Sequence, residues 1–166
     1  ILVKPRKSEL PDLGYPLLPF EDYCEFLFQG KSIQLRFGKS IQVDLIESIP
    51  ENWHERVKKQ GPDEVWLDYD LLITPLIVRG RRAGDRLKPM GMQGHSQSLQ
   101  DFFVNLKIPA QLRPFLPLVI SGDEIVWVAG LRPSEAYKCG ADTKRVLKIK
   151  IINSQNYLRA GEKPPD

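Results

Sequence analysis

Cysteine, histidine and methionine are scarce in this chain, with two of each among 166 residues. Cys24 and Cys139 form no CxxC pair, and neither His54 nor His95 has a second histidine at metal spacing or lies in an HExxH segment. A disulfide framework is thereby excluded, no metal site is expected, and a reducing, cytoplasmic setting is favoured. Phosphate loops of the GxxxxGK[ST] and GxGxxG types are missing. No apolar stretch approaches the ~18 residues of a membrane-spanning helix, and no secretory h-region opens the chain. Cys139 precedes Gly140 in a turn without an identifiable base, and Asp68 and Asp70 read as a solvated strand end. No self-contained active site follows, so no catalytic residue is assigned.

The length suits one ordinary domain or two small ones, and 42% hydrophobic with 27% charged residues is a globular composition. Ile1 in place of a methionine points to a fragment or a processed form. The net charge of +3 is unevenly spread. Residues 1–75 carry 9 Lys+Arg against 13 Asp+Glu, a balance of −4. Residues 76–150 carry 13 against 6, a balance of +7, and the remainder is neutral. A basic half joined to an acidic half suggests a polyanionic partner for one of them, or a solvated basic surface without a partner.

Five prolines and glycines among the first twenty residues predict an extended lead-in. Alternation in Ser32–Phe37 and again in Ile41–Ile46, around Gly38-Lys39, predicts a β-hairpin with one buried face. A short polar helix is expected over 51–60, between Pro50 and Gly61-Pro62, and a strand around Val65-Trp66-Leu67. Leu76-Ile77-Val78 reads as a strand. Ser98 and Asp101 have capping-box spacing, with the Asp101 carboxylate expected to reach the Ser98 amide. Leu99, Phe102, Phe103 and Leu106 then give an amphipathic stripe that Pro109 ends. Leu118–Ile120 and Glu124–Val128 flank Ser121-Gly122-Asp123 as a second hairpin. Lys144–Ile152 is a final strand with Leu147, Ile149 and Ile151 on one face and Lys144, Lys148 and Lys150, interrupted by Val146, on the other. The expected class is α+β: a β-rich N-terminal subdomain with its lead-in (1–74), a basic domain of small mixed sheet plus helix (75–152), and a tail (153–166).

The strongest local feature is the run from Val78 to Lys88, where Arg79, Arg81, Arg82, Arg86 and Lys88 are interleaved with Gly80 and Gly84. Guanidinium forks match phosphate oxygens, and glycines let backbone approach a ligand. Further cations sit on separate elements: Lys107, Arg113, Arg132, Lys138, Lys144, Arg145, Lys148 and Lys150. Dispersed cations suit a nucleic-acid backbone better than one small anion. The competing reading is that these arginines pair with the acidic half. Arg79 and Arg86 are the ones expected to meet carboxylates such as Asp85 or Asp101.

Several segments together carry a family resemblance. Pro75–Arg79, Gly84–Met92, Leu99–Phe103, Lys107–Pro109, Arg113 with Pro117–Val119, Gly122–Gly130 and Thr143–Leu147 resemble, in order and spacing, the C-terminal region of bacterial tRNA(Ile)-lysidine synthases. The resemblance implies an ATP-dependent carbon–nitrogen ligase that attaches lysine to the wobble cytidine of an isoleucine tRNA. That chemistry, with its ATP and Mg, belongs to an N-terminal PP-loop domain whose S-G-G-x-D-S motif this chain lacks. The chain is therefore expected to be inactive alone and to hold tRNA for its own catalytic domain. The residues favoured for tRNA contact are Arg79, Arg81, Arg82, Arg86, Lys88, Lys107, Arg113, Arg132 and Lys138. The chain departs from the family pattern at Gln97 and Ser98, where paired lysines are usual, leaving the helix amides as the attraction for phosphate there. It departs again at Cys139-Gly140. The alternative is an interaction module whose basic half docks on an acidic partner domain. Oligomeric state is left open.

Overall fold

The computed structural model describes residues 24–27, 32–35 and 39–153. The lead-in and most of the tail lie outside the described residues. The strands are β1 (Cys24–Leu27), β2 (Ser32–Leu35), β3 (Lys39–Ile46), β4 (Glu64–Asp68), β5 (Leu76–Arg79), β6 (Arg86–Leu87), β7 (Gln97–Ser98), β8 (Leu118–Ser121), β9 (Glu124–Val128) and β10 (Val146–Asn153). The α-helices among the described residues are α1 (Trp53–Lys59) and α2 (Leu99–Asn105). Two four-stranded sheets, ordered β1-β5-β8-β9 and β2-β3-β10-β4, accompany a small β6-β7 pair. The class is α+β, as expected.

Alternation along the strands builds two cores, one on each face of the first sheet. Leu76, Val78 and Val119 face the second sheet, where Ile41, Val43, Val65, Leu67, Leu147, Ile149 and Ile151 meet them. Leu118, Ile120 and Ile125 face the other way and bury Leu99, Phe102 and Phe103 of α2. The layers are thus sheet, sheet and helix. Strict alternation fails once, in β9, where Val126 and Trp127 both enter the first core. The β8–β9 register explains it: Val119 pairs with Trp127 but Ile120 pairs with Ile125, so Val126 is the extra residue of a bulge.

Both hairpins form where the alternation places them. Leu35 pairs with Lys39 in the first, and Ser121 with Glu124 in the second. The charge boundary near residue 75 is not a boundary between sheets. β1 pairs with β5, and β10 lies between β3 and β4, so each sheet takes strands from both halves of the chain. The capping box differs in one bond. Ser98 Oγ accepts the Asp101 amide at 3.0 Å and donates to the Asp101 carboxylate at 2.7 Å, so the carboxylate meets the hydroxyl and not the expected amide.

Candidate nucleic-acid interface

The site begins where β5 ends. Leu76 and Val78 point into the first core, so alternation turns Ile77 and Arg79 toward the side of α2. Arg79 is buried, with 8% of its surface exposed, and a charge there requires a partner. Asp85 supplies it. Arg79 Nη1 and Nη2 donate to Asp85 Oδ2 and Oδ1, each at 2.9 Å, and Nη1 also donates to the Gly80 carbonyl at 2.8 Å. Asp85 Oδ2 accepts the Arg82 amide at 2.7 Å as well, so one carboxylate closes the whole loop. Gly84 completes the turn with φ +84°, a left-handed conformation that glycine adopts without strain.

Burial acts to raise the Asp85 pKa, but the Arg79 hydrogen bonds, the Arg82 amide and the two guanidinium charges outweigh it and hold the carboxyl below its usual 3.8. A depressed folded pKa adds stability that is present above the unfolded value and lost as pH falls through the folded one. Denaturant melts of the unmodified chain and Asp85→Asn should therefore differ at pH 7 and converge in the acid range below about 3.8. A gap of constant size across that range would show that the ion pair contributes nothing.

The same loop is tied to α2, since the Leu99 amide donates to the Asp85 carbonyl at 2.8 Å. The result is a cleft of about 560 Å³ with Arg81 and Arg82 on one wall, Ser98 and Gln100 on the other, and Phe103 behind them. Arg82 is exposed and Arg81 half-buried, and neither guanidinium has a carboxylate within 4.0 Å among the described residues. The α2 N-terminus is less available to phosphate than the sequence implied. The Leu99 and Asp101 amides are already occupied, and the Asp101 carboxylate sits in the first turn.

The remaining cations divide by environment. Arg86 is exposed and donates to Ser96 Oγ at 3.1 Å and the Ser96 carbonyl at 3.3 Å, so its partner is a serine and not the expected carboxylate. Lys88 and Arg132 are exposed on segments joined by Met90 N–Pro133 O and Glu135 N–Lys88 O bonds. Lys138 pairs with Glu135 at 3.0 Å while keeping 54% of its side chain exposed. Lys107 is exposed just beyond α2. Arg113 is half-buried, donating to the Ile108 carbonyl at 3.0 Å with its guanidinium 6.0 Å from the Phe103 ring centroid. Arg79 and Arg113 thus hold the fold, whereas Arg81, Arg82, Arg86, Lys88, Lys107, Arg132 and Lys138 leave charge at the surface.

Residues 76–151 match the family described as the TilS substrate C-terminal domain. The solved structure of a TilS C-terminal domain superposes with a TM-score of 0.65 at 28% identity, covering 79% of this chain and 96% of that one. This part of the chain belongs to that family. The tRNA(Ile)-lysidine synthase of Symbiobacterium thermophilum is 46% identical over 141 residues, covering 85% of this chain but 28% of that enzyme. The chain spans about a quarter of the length of the curated lysidine synthases it matches. An N-terminal fragment of the phenylalanyl-tRNA synthetase β-subunit from Pyrococcus horikoshii shares the fold alone, with a TM-score of 0.57 at 13% identity.

Within this TilS C-terminal domain the acidic-half pairing anticipated from sequence involves, among the described residues, three cations near or on β10. Arg145 is paired with Asp70 and stacks over Tyr69 at 4.8 Å, Lys148 lies 3.5 Å from Asp44, and Lys150 lies 3.9 Å from Glu64. Asp68 is used structurally too, accepting Thr143 Oγ1 at 2.6 Å and the Asp70 amide at 3.1 Å. Burial, then the Asp68 charge, push the Cys139 thiol up to about 11, which leaves it a poor nucleophile near neutral pH. No helix among the described residues is long and apolar enough to cross a membrane.

Proposed function

We propose that this chain holds tRNA for a tRNA(Ile)-lysidine synthase, acting through position and not through chemistry of its own. The observation that carries the reading is the loop clamp. Asp85 takes Arg79 out of solution and leaves the Arg81 and Arg82 guanidinium groups without an ion pair among the described residues, beside an open cleft. Such a device fixes the backbone that carries these two arginines, so less of the loop has to be ordered when phosphates bind. Arg86, Lys88 and Arg132 extend the basic surface, and Lys107 and Lys138 add to it. On this reading ATP and Mg belong to a PP-loop domain on a partner segment. No group of three or more His, Cys, Asp or Glu among the described residues is arranged to hold a metal ion.

Fluorescence anisotropy of a labelled tRNA transcript across a KCl series tests this. The double variant Arg81→Ala/Arg82→Ala should lower the slope of log affinity against log salt by about two and weaken binding on the order of tenfold. Unchanged affinity and slope in a variant that melts normally would remove the cleft from the RNA surface.

A further inference from the structure

The outer face of the second sheet carries a separate cationic feature. β10 turns Leu147, Ile149 and Ile151 into the core, which places Lys148 and Lys150 on the opposite face. Arg56 and Lys59 of α1 come alongside them, and these four cations with Trp66 line a shallow groove of about 620 Å³. Neither half of the sequence reveals this grouping, because Arg56 and Lys59 belong to the acidic half and the two lysines to the basic half.

The groove also contains Asp63 and Glu64, but their hold on the cations is loose. Glu64 Oε1 accepts the Trp66 indole N–H at 2.8 Å, while its other oxygen stands 3.9 Å from Lys150 Nζ. Lys148 Nζ is 3.5 Å from Asp44. Both separations exceed a good charge-assisted hydrogen bond, and exposed pairs of this kind add little. Lys59 has no ion pair, and Arg56 donates only to the neutral Asn52 Oδ1 at 3.1 Å, among the described residues. Side chains two residues apart on a strand stand about 6.8 Å from one another. That spacing is comparable to neighbouring phosphates along one nucleic-acid strand, and an open groove suits a backbone better than a small metabolite.

We propose that this groove is a second contact for an RNA phosphate backbone, distinct from the Arg81–Arg82 cleft. The proposal rests on the tRNA-holding reading above. Because both sheets lie between the two sites, their contributions should be independent.

The test uses the whole chain, a labelled tRNA transcript and a KCl series. Arg56→Gln/Lys59→Gln and Lys148→Gln/Lys150→Gln should each lower the salt slope by one to two, in the range of about one per phosphate contact. Combining either pair with Arg81→Ala/Arg82→Ala should multiply the separate fold-losses. Lys148→Arg/Lys150→Arg keeps the charge and should keep the slope, which separates a charge effect from a damaged sheet. Unchanged slopes in both groove variants, alongside a lowered slope in Arg81→Ala/Arg82→Ala, overturn the groove and leave the tRNA reading standing. Absence of salt-dependent binding by the unmodified chain overturns both. Unchanged tRNA binding with lost polyglutamate binding assigns the groove to an acidic protein and overturns the RNA proposal.

Discussion

Asp85→Ala is expected to lower stability by about 3–5 kcal/mol, the usual cost of leaving a buried charge without its partner. For a chain of this size that corresponds to a fall of roughly 10 °C in the thermal midpoint. The side chains of Arg79 and Asp85 are 10% and 11% exposed, so loss of the carboxylate leaves the Arg79 guanidinium largely out of bulk water without its partner. The same carboxylate holds the Arg82 amide, and the Asp85 carbonyl anchors the Leu99 amide, so the cleft wall should loosen along with the core. Replacing both partners by apolar residues, Arg79→Met with Asp85→Leu, should recover much of the loss, because no stranded charge remains. Thermal melts of Arg79→Met, Asp85→Leu and the double complete the cycle. A midpoint for Asp85→Ala within 2 °C of the unmodified chain would contradict this account.

Phe103→Ala should be comparably damaging, at about 3–5 kcal/mol, because it removes a fully buried ring from the second core. Phe103 contacts Phe102 at a ring-centroid separation of 6.0 Å, supports Arg113 and backs the cleft. Its loss should therefore reduce tRNA affinity through disorder of α2, without removing any cation. The neighbouring Val104 is 53% exposed, and Val104→Ala should change stability by no more than about 0.5 kcal/mol. Urea titrations of the two variants give the comparison directly. Equal effects would mean that α2 does not present the face described.

The elements were largely legible because their signals are local. The stripe of Leu99, Phe102 and Phe103 is buried as its spacing predicts, and Lys148 and Lys150 share the face that alternation gives them. The ion pair of Arg79 with Asp85 was also anticipated, and the same alternation justifies it: Arg79 shares a strand face with Ile77, so it points inward. Arg86 went differently. Its expected carboxylate is absent from the contact because β6 pairs with β7, which brings Ser96 beside the guanidinium instead. The bulge at Val126 was invisible, since an extra residue in one strand is defined only by its partner's register. The occupancy of the α2 amides is hidden from the sequence for a related reason. Their occupants include the Asp85 carbonyl, which arrives from another element.

The charge division of −4 and +7 illustrates what each level decides. Composition, patterning and the run from Arg79 to Lys88 belong to the sequence, because they depend on neighbours within a few residues. Which of those cations remain available is settled only when distant strands pair. The pairing of β10 brings Arg145 to Asp70 and sets Lys148 and Lys150 only loosely beside Asp44 and Glu64, while the Asp85 clamp withdraws Arg79 and leaves Arg81 and Arg82 beside the cleft. Coulomb attraction acts over a few ångströms of space and takes no account of separation along the chain. The sequence by itself determined that there would be a basic surface. Antiparallel pairing across the two halves decided where it lies.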